Sequence, residues 1–324
     1  MKKKILSPLI CLTAAIVWGF AFSFQEIASN NVHLIDAFFF GGIRFGVGAI
    51  SLIPVILIFE REKELPKELK KTKMKNTAIY GVITGFILFA AAALQQFGIQ
   101  ITQSSGKAGF ITGMYLIFVP IVSFILFKQR VSPIVWGAAV IALCGLYFLC
   151  MGGSGFTVSV GDILLFLCSL CFTAHIIVID KFIVKVSALK YSAIQFGTVA
   201  VLNIIVGLFF GHVSWEGIVA TIIPILYCGI GSTGVAYTCQ ILGQKLTPPT
   251  VAALLFSTES LFSVIAECIF KQKLPTGTMI LGCSIMFVGI ILSQLPVEIK
   301  RVNGKLRIGF TKSVPELPED KVIE

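Results

Sequence analysis

Long apolar runs separated by short charged connectors fill the chain from residue 6 to residue 295. Ten can be delimited, at 6–27, 35–58, 76–98, 104–127, 132–151, 161–181, 190–211, 216–240, 248–270 and 276–295. A helix of roughly 20 apolar residues crosses about 30 Å of hydrocarbon. Helices are the expected element, because lipid offers no partner for backbone polar groups. The pattern predicts an all-α polytopic membrane protein of ten transmembrane helices. The start, "MKKKILSPLI", has the basic opening of a signal peptide, but its apolar run extends beyond the 7–15 residues of a signal core, so it reads as a retained first helix.

Composition agrees. Apolar residues make up 56% and charged residues only 13%, about half the charged share of a soluble domain. The net charge of +10 would suggest nucleic acid in a soluble chain, but here distribution decides, and no nucleic-acid partner is expected. With the N-terminus in the cytoplasm, 22 of the 26 Lys and Arg fall on the inner side, and only Lys271 and Lys273 on the outer side. Arg44 and Lys107 lie within runs. This asymmetry predicts a multi-pass protein of the cytoplasmic membrane with both termini inside. The nine cysteines lie in apolar runs and imply no disulfide framework, and "CSLC" at 168–171 has no second pair with which to hold a metal. No cofactor is expected. The tail 297–324 turns polar, with "VNGK" as a tight turn and "PELPED" as a disordered stretch.

The chain also repeats itself. "IRFGVGA" at 43–49 returns as "IQFGTVA" at 194–200. Gln95, Gly98, Thr102 and Ala108 return as Gln240, Gly243, Thr247 and Ala253, and "FKQRV" at 127–131 returns as "FKQKL" at 270–274. The matches keep their order, which indicates duplication: residues 1–152 and 153–296 form two repeats of five helices each, followed by a cytoplasmic tail. An odd number of spans inverts the second repeat, an arrangement that lets two halves rock about a central site.

"AAIVWGFAF" in the first run, "IRF" in the second and "SSGKAGFITGMYLIFVP" in the fourth resemble the drug/metabolite transporter superfamily, EamA-like branch. "GDILLFLCSLCFTAH" and "PTVAALLFSTESLF" extend the resemblance over about residues 5–295. It implies ten helices in two inverted five-helix repeats that carry small metabolites or drugs across a cytoplasmic membrane. One departure stands out. The Glu-Pro usual in the family's ninth span is Glu259-Ser260 here, without the proline that would kink the helix.

Polar groups inside the runs are the candidates for a substrate site, and each has a structural reading beside the functional one. Arg44 lies nine residues into its run, about 14 Å deep at 1.5 Å per residue. An Arg there costs about 2.5–3.5 kcal/mol. A carboxylate at about 4 Å returns about 4 kcal/mol at an effective dielectric near 20. Glu259 lies at a comparable depth, so Arg44 either pairs with it, bonds to backbone carbonyls or meets the substrate directly. Glu259 is equally a candidate proton carrier. Lys107 either snorkels to the outer interface or attracts anions into the outer half of a cavity. His175 is either a packing histidine or a cavity residue. Gln95, with its counterpart Gln240, offers interhelical hydrogen bonds or a cavity contact. Trp18, on one face with Phe22, and Tyr115 and Tyr237 supply aromatic walls or simply face neighbours. Glu26 and Glu267 sit near outer helix ends, Asp162 reads as a helix cap and Asp180 as solvated near the inner end. Charge is not conserved between repeats: Arg44 matches Gln195, Lys107 matches Ala252, and Glu259 matches an apolar position near Leu116.

These features favour a secondary transporter of a small metabolite or drug, with an amino-acid-like molecule among the candidates, working by alternating access in the export direction. A proton is the candidate coupling ion. No GxxxxGK[ST] phosphate loop is present, so ATP hydrolysis by that route is excluded. The alternatives are a structural or sensory membrane protein and an intramembrane enzyme, the latter without any nucleophile or metal-spaced constellation. Nothing in the chain speaks to an oligomeric state.

Overall fold

The structure is a computed structural model that describes residues 2–60, 66–128, 131–151, 158–294, 297–302 and 305–310. Every run marked by hydropathy falls on helix. The first half comprises α1 (Lys2–Ser29), α2 (Ala37–Phe59), α3 (Lys67–Thr102), α4 (Ser105–Gly113), α5 (Tyr115–Phe127) and α6 (Pro133–Met151). The second comprises α7 (Val160–Phe182), α8 (Ala188–Phe210), the short α9 (Trp215–Ala220) and α10 (Ile222–Leu226), a π-helical stretch Tyr227–Tyr237, α11 (Thr238–Gln244), α12 (Pro249–Phe256), α13 (Glu259–Phe270) and α14 (Gly277–Gln294). Among the described residues, eight stretches are long and apolar enough to cross a membrane, whereas α6 and α14 contribute shorter apolar segments, Pro133–Phe148 and Gly277–Ser293. The tail adds an antiparallel hairpin, β1 (Val297–Val302) with β2 (Lys305–Phe310), in which Val302 pairs with Lys305. The two residues between them, at the centre of the expected turn, and the "PELPED" stretch lie outside the described residues.

Which helices touch follows one rule. α6 packs on α14 and α2 on α8; α3 packs on α7 and α8, while the π-helical stretch packs on α1 and α2; α1 packs on α13, while α7 packs on α4 and α5. Exchanging each of these helices for the one five runs away returns the same set of pairs, whereas the packing of α6 on α12 and α13 has no counterpart of similar extent. The α6–α14 seam shows the reciprocity atom by atom. A Cβ on Gly145 would come within 2.5 Å of the Met286 backbone nitrogen, and one on Gly289 within 2.8 Å of the Ala138 carbonyl oxygen. Only glycine permits the two backbones to approach this closely.

Two spans are interrupted at matching places. The fourth breaks at Met114, between α4 and α5, and the ninth at Ser257 and Thr258, between α12 and α13. The second break needs no proline. Ser257 Oγ donates to the Leu254 carbonyl (2.8 Å), Thr258 Oγ1 to that of Leu255 (2.7 Å), and Ser260 Oγ crosses to the Gly109 carbonyl (2.7 Å). Hydroxyls that bond to carbonyls in this way compete with the helical ladder and bend it. The main buried cluster, including Phe22, Phe45, Leu88, Leu116, Leu165, Phe196 and Phe256, draws on helices of both halves.

Candidate functional site

A pocket with an empty volume of about 430 Å³ lies where the two interrupted spans meet α1, α2, α3 and α7. Its apolar wall is aromatic: Trp18, Phe22, Tyr115, Phe172, Tyr237 and Phe256, with Ala21 and Ile176. The rings hold one another edge-on, Trp18 to Tyr237 with centroids 4.8 Å apart and Trp18 to Phe256 at 5.6 Å. Gln25, Gln95, Gln240 and Ser232 provide neutral polar groups, and Arg44 and Glu259 the charges.

Tyr115 and Glu259 are the first residues of α5 and α13, immediately after the two breaks. The Tyr115 hydroxyl donates to Glu259 Oε1 at 2.9 Å, joining the starts of the two half-helices. Sequence spacing had matched Glu259 to an apolar position near Leu116, the residue that follows Tyr115 in α5.

Arg44 is 3% exposed. The expected Arg44–Glu259 ion pair is not formed: among the described residues no carboxylate lies within salt-bridge distance of Arg44. Its guanidinium instead rests 5.0 Å from the Phe45 ring centroid and 5.5 Å from that of Phe40, beside the Cys228 thiol. Ring quadrupoles offset part of the cost of burying the cation. The Arg44 Nε–H has no acceptor, and three other lining atoms lack partners: Trp18 Nε1, Gln25 Oε1 and Gln240 Oε1. Buried polar atoms are normally hydrogen-bonded, and these four, two donors and two acceptors, all belong to residues that line the pocket.

Six of the eight residues singled out from the sequence, Arg44, Glu259, Trp18, Tyr115, Tyr237 and Gln95, line this pocket together; Lys107 and His175 do not. Lys107 Nζ pairs at 2.8 Å with Asp162 Oδ2, a carboxylate already fixed by the amide of the N-cap Ser159 at 2.7 Å in the capping box of α7. A preset anion at the helix end draws the ammonium away from the cavity. His175 is fully buried behind the wall, with Nε2 3.2 Å from Gln195 Oε1 and its ring edge-on to Tyr237 at 6.1 Å. Asp180 is buried rather than solvated, because α7 runs on to Phe182 before the chain turns. Gln25, Phe172, Ile176, Ser232 and Phe256 also line the pocket without having been singled out. Ser232 lies on the π-helical stretch, whose widened turn no 3.6-residue pattern anticipates.

Beyond the pocket, at the end where α1 stops, the start of α4 is surrounded by charge. Lys271 Nζ contacts Glu26 Oε1 at 2.9 Å and Glu267 Oε1 at 2.7 Å. Glu26 Oε2 accepts from the Ser105 amide and Glu267 Oε2 from the Gly106 amide, both at 2.8 Å. Partial burial pulls the Lys271 ammonium pKa down, but its hydrogen bonds to Glu267 and Glu26 outweigh that and leave it above its usual value. At the opposite end, Ser7 and Thr247 share a neutral hydroxyl contact.

The model of the EamA-like transporter family matches residues 6–151 and again 159–295. The chain belongs to the EamA-like transporter family. An uncharacterized transporter of Archaeoglobus fulgidus is 25% identical to this EamA-like chain over 295 residues, covering 91% of it and 88% of the relative. The uncharacterized transporter YrdR of Bacillus subtilis is 31% identical over 114 residues, 35% of this chain and 32% of YrdR. A solved crystal structure with 17% identity superposes with a TM-score of 0.72 over 89% of this chain and 98% of its own, a likeness of fold alone. Family membership places this protein among multi-pass membrane transporters.

Proposed function

We propose that this EamA-like protein is a secondary transporter that binds one small zwitterionic metabolite with an apolar body, an amino-acid-like molecule, and exports it across the cytoplasmic membrane by alternating access. Arg44 carries the reading: it is buried on the pocket wall with no carboxylate partner among the described residues, so the substrate supplies the anion. Removing one partner of a buried ion pair is strongly destabilising, and a structure that leaves such a charge open expects the partner from elsewhere. Glu259, on the same pocket with only the Tyr115 hydroxyl bonded to Oε1, faces the substrate's cationic group. The aromatic wall accepts the apolar body.

The exchangeable neighbour pattern, the matched interruptions and the two family matches support ten spans in two inverted repeats, 1–152 and 153–296, with α6 and α14 as the fifth and tenth. Half-helices that begin at a central pocket are a transporter arrangement. The lysine and arginine distribution supports cytoplasmic termini. Proton coupling falls to Glu259, the acid on the pocket wall: protonation when rocking changes its surroundings would tie substrate movement to a pH gradient. Lys107 acts from the rim, through Asp162, and His175 by backing Tyr237. Thermal-shift screening of amino acids against their decarboxylated amines tests the substrate class. The amino acids should stabilise the protein and the amines should not; equal stabilisation by both would remove Arg44 as the anion ligand.

A further inference from the structure

We infer that the end of the bundle where α1 stops carries a charge latch, in which Lys271 is gripped by Glu26 and Glu267 and both carboxylates hold the start of α4, and that this latch closes the pocket toward that side and must part for it to open. The inference rests on the transport reading and concerns how access to that same pocket is regulated.

Three elements meet in the latch, and each runs to the pocket. α1 carries Glu26 next to the lining residue Gln25 and, deeper, Phe22 and Trp18. α13 carries Glu267 between the lining residue Glu259 at its start and Lys271 just past its end. α4 leads across the Met114 break to the lining residue Tyr115. Every carboxylate oxygen of the two acids is engaged. Glu26 uses one on Lys271 (2.9 Å) and one on the Ser105 amide (2.8 Å). Glu267 uses one on Lys271 (2.7 Å) and the other on the Gly106 amide (2.8 Å) and the Ser105 hydroxyl (3.4 Å). Ser23 on α1 donates to the same Ser105 hydroxyl at 3.2 Å.

This chemistry suits a contact made to open. An apolar seam exposes hydrocarbon when it parts, whereas charges at a wetted edge exchange one another for water at small net cost. Exposure rises across the latch, from 11% at the nearly buried Glu26 side chain to 23% at Glu267 and 34% at Lys271, so its Lys271–Glu267 side lies at an open edge. Charge-assisted bonds to fixed amides still define one closed register. The hinge is the interruption at Ser257 and Thr258, from which the 12 residues of α13 form an arm of about 18 Å. Glycine lets α4 lie against that arm: a Cβ on Gly109 would come within 2.5 Å of Ser263 Oγ.

The test is cysteine accessibility in the full-length chain. With native cysteines replaced, Ser232→Cys places one thiol on the pocket wall, and its modification by an impermeant methanethiosulfonate is timed from each membrane face. Lys271→Met, and separately Glu26→Gln with Glu267→Gln, should raise the rate from the latch face by about tenfold. Lys271→Arg, which keeps the charge, should stay within about twofold of the parent. If the double variant fails to fold, Lys271→Met at the wetted edge decides. A well-folded Lys271→Met protein that reacts at the parental rate overturns the latch. Substrate counterflow by the parent is measured separately: its absence would sink the transport reading while leaving the accessibility result to judge the latch.

Discussion

At the scale of the residue, the chemistry reduces to three side chains. Arg44→Ala should abolish stabilisation by zwitterionic amino acids in thermal-shift assays while the empty protein folds, because no carboxylate in the described residues is orphaned by its loss. If the empty protein instead fails to fold and Glu259→Ala rescues it, Arg44 has a structural partner. Tyr115→Phe leaves a buried carboxylate oxygen unmatched, at a cost of about 1–3 kcal/mol in unfolding free energy; thermal unfolding measures it, and an unchanged midpoint would mean that the Tyr115–Glu259 bond contributes nothing. Glu259→Gln should lose gradient-driven flux, while counterflow, which needs no net proton movement, should persist at raised substrate concentration because the variant also removes the charge facing the substrate's cationic group; a folded variant that still concentrates substrate under a pH gradient ends the coupling role. The charged members of the site were legible in the sequence because a charge inside an apolar run is costly and demands a reason. Their partners were not: depth along a run says nothing about azimuth, and Arg44 and Glu259, matched in depth, turn to different neighbours.

At the scale of the element, the interruptions matter most. The sequence shows the ninth span without its proline, yet the helix breaks, because Ser257, Thr258 and Ser260 use side-chain hydroxyls to compete for carbonyls. Hydropathy sees only a continuous apolar run there. It likewise misses the π-helical stretch that turns Ser232 into the pocket. What it reads well is where runs begin and end, since membrane thickness fixes their length. The α6–α14 seam gives a prediction at this scale. Gly145→Ala sets a methyl within 2.5 Å of backbone that cannot rotate away, so folded yield should fall sharply, and Gly289→Ala should do the same. Gly137→Ala, where nothing lies within 4 Å, is the control, and equal yields for Gly145→Ala and Gly137→Ala would mean that the seam is not close-packed.

At the scale of the whole molecule, the main helix pairs keep to the order of the sequence matches, while the charges do not recur with them: Arg44 matches Gln195, and Glu259 an apolar position near Leu116. Orientation is tested by cysteines at the exposed positions Asn30 and Lys273, which should react with impermeant reagent on intact cells, and at Lys70 and Lys245, which should not; labelling of Lys245 from outside would reverse the orientation. The central claim, that Arg44 receives the carboxylate of a transported zwitterion, is tested most directly by counterflow in proteoliposomes loaded with unlabelled aromatic amino acid. Wild-type protein should take up the radiolabelled amino acid faster than empty vesicles and ignore its decarboxylated amine, and Arg44→Ala should fall to the empty-vesicle rate. Equal uptake of acid and amine, or undiminished counterflow by a folded Arg44→Ala protein, would contradict it.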